Sequence, residues 1–428
     1  MKKILLNLKK SVWLYPALIS ILSFFLALIV VFLDGGYLIN LELFLPDIFL
    51  TSVELSKTIL TVIAGSLITM TTFTFSTTMV VLTTYSSQLS PRTVENFLAD
   101  DDTMKALGVF MGGFVYAMMT LLFMRSALGD RLVIAATLGI GYSIVCLAQF
   151  TMYIHHVGSY IQINNLIWRI FKGTEKRIED YRNLLDKGQI ITELEIPGNN
   201  FKLHVASNRN GYIQLVSHDK IGKIARDLNG IIIFEKVIGQ FVSDSTNIFT
   251  LVFKEEVELE EDNISKLQNY VTIGYEKTEW QDFNFSIQKI VEIALRAISP
   301  GVNDPNTANH CLKMIGIMLG KLADLKNGYL VINEDEDEFS RAVFEAIDFE
   351  KELYFTLNQI VHYGRSDVSV IISVLKALRF AMEKATPENR KVIVTFVDLV
   401  FEKVETEIKN DYDKGLLEHE RKEILALA

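Results

Sequence analysis

The sequence predicts an α+β membrane protein: a four-helix transmembrane bundle followed by a cytoplasmic domain with a small β-barrel or sandwich and an α-helical C-terminal part. Three observations predict this. Apolar residues make up half of the 428-residue chain, yet they concentrate before about His156 while the charged residues concentrate after it. Between about Ile190 and Phe253 the pattern turns to short β-branched and aromatic runs broken by Gly, Asn, Asp and Ser, the mark of strands. From Asp282 onward apolar residues recur at helical spacing. The expected organisation is a transmembrane domain at 1–156, a helical stalk continuing the fourth span at 157–187, a small β domain at 188–256 and a mainly helical cytoplasmic domain at 257–428.

Four apolar stretches, near Val12–Leu33, Thr58–Thr84, Leu107–Met124 and Leu132–Ile154, can each cross about 30 Å of hydrocarbon, which takes roughly 20 helical residues. The first reads as a span, because its apolar run is too long for a signal h-region. Lys2, Lys3, Lys9 and Lys10 precede it, and Arg169, Lys172, Lys176 and Arg177 follow the fourth. The loop from Asp34 to Ser56 has neither Lys nor Arg. Arg125 and Arg131 run against this trend, but the majority places both termini in the cytoplasm of a bacterial inner membrane.

The second span is rich in threonine. At 100° per residue Thr58, Thr61, Gly65, Thr69, Thr72, Ser76, Thr83, Ser87 and Ser90 share one face, and Thr71, Thr74 and Thr78 lie on another. A helix polar on two sides is expected at the centre of a bundle or on a subunit axis. The stripe has two readings. Small hydroxylated residues let helices pack closely; alternatively, hydroxyls line a pore and stand in for water around an ion. On the second reading Thr61, Gly65, Thr69, Thr72, Ser76, Thr83 and Ser87 line the path and Arg92 is a charge at its cytoplasmic mouth. No span carries an internal Asp, Glu, Lys or Arg, which disfavours a proton-coupled transporter. Gly108, Gly112 and Gly113 give the third span a small-residue contact surface.

The fourth span keeps helical periodicity to about Lys187, the expected stalk. In the β region, G-Y-I-Q followed by I-G-Q-F-V resembles the barrel-sandwich hybrid of biotinyl-carrier domains. The turn lysine is absent, so no prosthetic group is implied. Ser217, His218 and Asp219 are adjacent and cannot converge as a triad. The acidic run at 334–338 reads as a solvated loop.

Among the C-terminal helices, Asp367 and Thr386 are expected N-caps. The segment S-P-G-V-N-D-P-N-T-A at 299–308 reads as a stop and a restart. Pro300 pushes Ser299 off helical dihedrals, Gly301 is free to take positive φ, and Asp304 before Pro305 caps the next helix. The functional alternative is an anion cradle built from Arg296, Ser299, Gly301, Asn303, Asp304 and Thr307, with His310 nearby.

This decapeptide, preceded by I-A-L-R-A-I, resembles the bacterial predicted membrane proteins grouped as domain of unknown function 2254. So do Q-L-S-P-R at 88–92, N-F-L-A-D-D and K-A-L-G-V-F after it, and N-G-Y-I-Q at 210–214. The matches cover both halves in the same order. The resemblance implies an integral membrane protein of the bacterial envelope with a cytoplasmic domain, and no activity.

A net charge of −10 argues against a nucleic-acid partner. Two cysteines and seven histidines show no metal-ligand spacing, and no phosphate loop or nucleophile–base set is present. The reading is therefore a non-enzymatic membrane protein without cofactor or metal. It is expected to be a homo-oligomeric channel for small ions, lined by the second span and gated by the cytoplasmic domain. The alternative is a membrane-anchored sensor or scaffold binding a small anion or nucleotide at the turn.

Overall fold

The structure, a computed structural model, describes residues 13–35, 45–84, 101–124, 132–196, 198, 200–333 and 339–428. It divides into two compact units, 1–165 and 166–428.

The first unit holds four helices long and apolar enough to cross a membrane: α1 (Leu14–Asp34), α2 (Val53–Thr84), α3 (Asp101–Phe123) and α4 (Ala135–Tyr160). α2 begins before the apolar stretch read from sequence and α4 runs beyond its own. Hydropathy marks only the length that lipid covers, whereas helical hydrogen bonding continues through polar flanks. At 32 residues α2 is about 48 Å long, more than the hydrocarbon thickness. α3 packs against the other three helices, and its glycines explain how. A Cβ on Gly108 would lie 2.9 Å from Ile19 Cδ1; on Gly112, 2.7 Å from Ser23 Oγ and Tyr142 Oη; on Gly113, 2.7 Å from Leu67 Cδ1.

Few polar atoms cross between these helices, but those that do are specific. Asp34 is 4% exposed and accepts from the backbone amides of Ile134 (2.9 Å) and Ala135 (3.3 Å), so the end of α1 caps the start of α4. Nearby, β1 (Thr51–Ser52) pairs antiparallel with β2 (Leu132–Val133). Tyr116 donates to the carbonyl of Ala135 at 2.9 Å.

The division between the units falls in the first turn of α5 (Ile163–Leu185). Ile161 and Gln162 separate it from α4, so the expected continuous stalk is two helices. The apolar positions of α5, including Leu166, Ile170 and Ile178, are buried within the unit. Six strands form one mixed sheet in the order β3 (Gln189–Ile191), β10 (Tyr329–Asn333), β11 (Arg341–Glu345), β6 (Ile231–Phe234), β8 (Asn247–Phe253), β4 (Phe201–Ala206). β11 and β6 run parallel, Ala342 opposite Ile232; the other pairs are antiparallel. A separate sheet pairs β5 (Gly211–Val216) with β7 (Phe241–Val242) and β9 (Val271–Gly274). The mixture of helix and sheet expected after the spans is present. Among the described residues the strands do not close on themselves, and the sheet takes two strands from 329–345, inside the stretch read as helical. Ile231, Val252, Val331, Phe339 and Val343 form a core on one face of it. The acidic run 334–338 lies outside the described residues.

α6 (His218–Asp227) and α7 (Glu261–Asn269) intersperse the strands. The C-terminal helices are α8 (Phe283–Ala297), α9 (Pro305–Ala323), α10 (Phe349–Gly364), α11 (Val368–Met382), α12 (Pro387–Val404) and α13 (Asp411–Leu425). Each starts on a side chain that accepts from a backbone amide: Asp282, Asp304, Asp348, Asp367, Thr386 and Asn410 respectively. Each such cap contributes about 1 kcal/mol. α9 and α11 approach closely at Gly316, where a Cβ would sit 2.7 Å from Ala377 Cα. Asn389, fully buried, donates to the carbonyls of Ala323 (2.9 Å) and Leu325 (3.0 Å) and accepts from Asn327 (2.7 Å).

Candidate functional site

The hydroxyl stripe of α2 lies where the spacing puts it, on one face, and that face points out of the four-helix unit. Thr61, Gly65, Thr69, Thr72, Ser76 and Thr83 are all exposed on the single chain. Nothing lies within 4 Å of a Cβ built on Gly65. The hydroxyl protons are turned back onto the helix. Thr61 donates to the carbonyl of Lys57 (2.8 Å), Thr69 to Gly65 (2.9 Å), Thr72 to Ile68 (2.9 Å) and Thr83 to Met79 (2.7 Å). Such bonds to the preceding turn are how hydroxyls are satisfied inside apolar helices. The second face behaves differently. Thr74 and Thr78 are buried, Thr78 Oγ1 lies 3.0 Å from Tyr153 Oη, and Tyr153 donates to the carbonyl of Thr74 at 3.0 Å. Ser87 and Arg92 lie outside the described residues.

The 299–308 turn is tied to itself. The amides of Val302 and Asn303 donate to Ser299 O at 3.0 and 2.9 Å, and Asp304 N donates to Ala297 O at 2.8 Å. Ser299 Oγ donates to Arg296 O at 2.7 Å. The left-handed backbone falls on Asn303 (φ 52°), not on Gly301. Asparagine tolerates this region better than other non-glycine residues. Asp304 accepts from Thr307 N at 3.2 Å and from Thr307 Oγ1 at 2.6 Å. Its carboxylate thus occupies the helix N-terminus, where a bound anion would have to sit. Of the cradle residues, Asn303 reaches a cleft of about 430 Å³, shared with Ile298, Pro305, Tyr363, Gly364, Ser366, Asp367 and Val368. Arg296, Ser299, Gly301, Asp304 and Thr307 do not line it. His310, close to the turn in sequence, is held below the usual histidine range by burial and by Lys313.

A third polar constellation was not anticipated. Lys289, 1% exposed, donates to Glu279 Oε1 at 2.5 Å, and Arg177 from α5 pairs with Glu279 Oε2 at 2.6 Å. Beside them Asp282 and Glu352 converge on Asn284: Asn284 Nδ2 donates to Glu352 Oε1 at 2.6 Å, and Asn284 Oδ1 is buried with no partner. Burial pushes Asp282 up to about 6 and Glu352 up to about 7. The one sequence signal was α8 itself, apolar on nearly every side, so that a lysine within it requires a partner. Ser217, His218 and Asp219 diverge. The His218 ring packs on Phe344 with centroids 4.6 Å apart, and Asp219 pairs with Lys187 at 2.9 Å.

The profile of the predicted membrane protein family DUF2254 matches residues 9–379, spanning both units. The chain belongs to this family. Similar chains occur in mycobacteria. Uncharacterised proteins of Mycobacterium bovis and of Mycobacterium tuberculosis strain H37Rv are each 24% identical over 373 residues, covering 85% of this chain and 70% of the relative. No solved structure matches. This DUF2254 member is a membrane protein with four helices suited to spanning.

Proposed function

We propose that this DUF2254 protein is a homo-oligomeric, channel-like permeation protein of the bacterial inner membrane. Its path runs between copies along the outward face of α2, and the cytoplasmic unit assembles or gates it. The observation that carries the reading is the exposure of Thr61, Gly65, Thr69, Thr72, Ser76 and Thr83 on one face of a spanning helix. Small residues four apart suit close approach of another helix. Because the threonine protons are committed to carbonyls one turn back, the oxygens present lone pairs to whatever lies beside them. A path so lined suits a cation, which oxygen acceptors coordinate in place of water.

The test is flux through reconstituted vesicles. Thr72→Val with Ser76→Ala is expected to alter cation flux while oligomer size stays the same. Unchanged flux from a folded double variant overturns the reading.

A second reading is favoured by the cleft beside Asn303: a membrane-anchored receptor whose soluble unit binds a small ligand there. Asp367, together with the cap at Asp304, makes that neighbourhood acidic, so a cationic or neutral ligand fits better than an anion. A thermal-shift screen of the full chain tests this, with Asn303→Ala expected to abolish any stabilisation. Stabilisation that survives that substitution places the ligand elsewhere.

A further inference from the structure

The chain stops and restarts a helix at 298–304, between α8 and α9, and again at 365–367, between α10 and α11. Asn309 on α9 donates to Ser369 Oγ on α11 at 3.3 Å, so the two restarts stand side by side. Between them lies the cleft of about 430 Å³, towards the small end of ligand pockets. Its walls hold three polar side chains with unspent capacity. Asp367 gives Oδ1 alone to the cap of α11, accepting from Ser369 N (2.9 Å), Ser369 Oγ (2.8 Å) and Val370 N (3.2 Å). Its Oδ2, the Asn303 side-chain amide and the Ser366 hydroxyl make no hydrogen bond among the described residues. Tyr363, 67% exposed, supplies an aromatic wall, with the His362 ring nearly at right angles to it and centroids 4.9 Å apart. Ile298 and Val368 supply apolar surface. Among the described residues no Lys, Arg or His side chain lines the cleft. Arg365, beside it in sequence, pairs with Glu407 at 3.2 Å.

We propose that this cleft binds a small organic cation, a primary ammonium on a short apolar body; this rests on the receptor reading and names its ligand. An ammonium carries three N–H donors and no acceptor. The cleft offers it Asp367 Oδ2, Asn303 Oδ1 and Ser366 Oγ. The bond to the carboxylate is charge-assisted, about twice as strong as a neutral one. The Tyr363 ring attracts a cation held over its face. Ile298 and Val368 suit methylene groups. A bare metal ion is a poorer occupant: calcium takes about six to eight oxygens and magnesium demands near-octahedral geometry, whereas a single carboxylate lines the cleft. An anion would meet that carboxylate, whose cap has already claimed the first amides of α11.

The test titrates butylammonium into the full chain in detergent by calorimetry, with 1-butanol, glucose and inorganic phosphate as comparison probes. Butylammonium is expected to bind and the other three are not. Asp367→Asn removes the charge yet keeps a good N-cap, and is expected to weaken butylammonium binding about ten- to a hundredfold. Tyr363→Leu, at an exposed position, is expected to weaken it about threefold. Asp348→Asn alters the cap at the far end of α10, off the cleft, and is expected to leave binding unchanged. Butylammonium binding of equal strength in the parent, Asp367→Asn and Tyr363→Leu overturns the proposal. No butylammonium binding to the folded parent also overturns it, and leaves the receptor reading to its wider screen. Binding of butanol or glucose instead, abolished by Asn303→Ala, overturns the cationic ligand while the receptor reading stands.

Discussion

Thr72 in the membrane unit and Lys289 in the second unit both hold a polar group where water is scarce, and they resolve it over different distances. Thr72 donates to a carbonyl four residues back. Lys289 and Arg177 close on Glu279, and the Arg177 contact spans 102 residues of sequence. In lipid, a helix can satisfy its hydroxyls alone, so helices are free to pack on glycine and methyl surfaces. In the second unit a buried ion has no such local recourse, and its partners must be brought by the fold. One unit is stapled by shape, the other by charge.

The largest expected effect breaks the charge staple. Glu279→Ala removes the carboxylate that buried Lys289 and Arg177 share and should cost about 3–5 kcal/mol, read by chemical denaturation of the full chain in detergent. Lys289→Met should cost far less, because Arg177 still pairs with Glu279 and the replacement is apolar. Equal losses from the two would show that charge is not what matters there.

Shape is tested next. Gly112→Val puts a side chain against Ser23, Tyr142 and Ile19 and should cost about 1–3 kcal/mol in thermal stability. Gly65→Leu meets nothing in its own chain and should leave monomer stability within about 0.5 kcal/mol. It should instead lower the oligomer population seen by crosslinking, if α2 faces meet.

Acid–base behaviour tests the second unit. Asp282 and Glu352 titrate in the fold at about 6 and 7, above their ordinary carboxylate values. The folded state therefore holds protons the unfolded chain releases. This stabilising contribution is complete below about pH 4 and disappears as pH rises through 7, at up to about 1.4 kcal/mol per pH unit for each group. Glu352→Gln should flatten the slope and raise the melting temperature at pH 8. A melting temperature as pH-sensitive as the parent's would remove Glu352 from the account. A small effect is expected from Tyr153→Phe, about 0.6 kcal/mol for the lost bond to Thr74, measured against Thr72→Val, which should be near neutral.

The membrane unit was largely legible in the sequence because long apolar runs and glycine spacing are local signals. The caps at Asp304, Asp367 and Thr386 were legible for the same reason, each requiring only its own next turn. The α2 stripe was legible as a face, but the side it presents depends on three other helices. Contacts far apart in sequence were not legible. β10 and β11 flank an acidic run that reads as a loop, and their neighbours β3 and β6 come from before residue 235. Glu279 lies outside α8, so nothing local named it as the partner of Lys289. Asn303 took the left-handed conformation that the sequence made easy to assign to Gly301, two residues earlier.

The two-residue ribbon formed by Thr51–Ser52 with Leu132–Val133, and the grip of Asp34 on the amides of Ile134 and Ala135, have a bearing on biosynthesis. Neither can close until the last of the four segments has left the ribosome and reached the bilayer. The earlier rods must therefore wait without this latch, and insertion of the final one fastens the set.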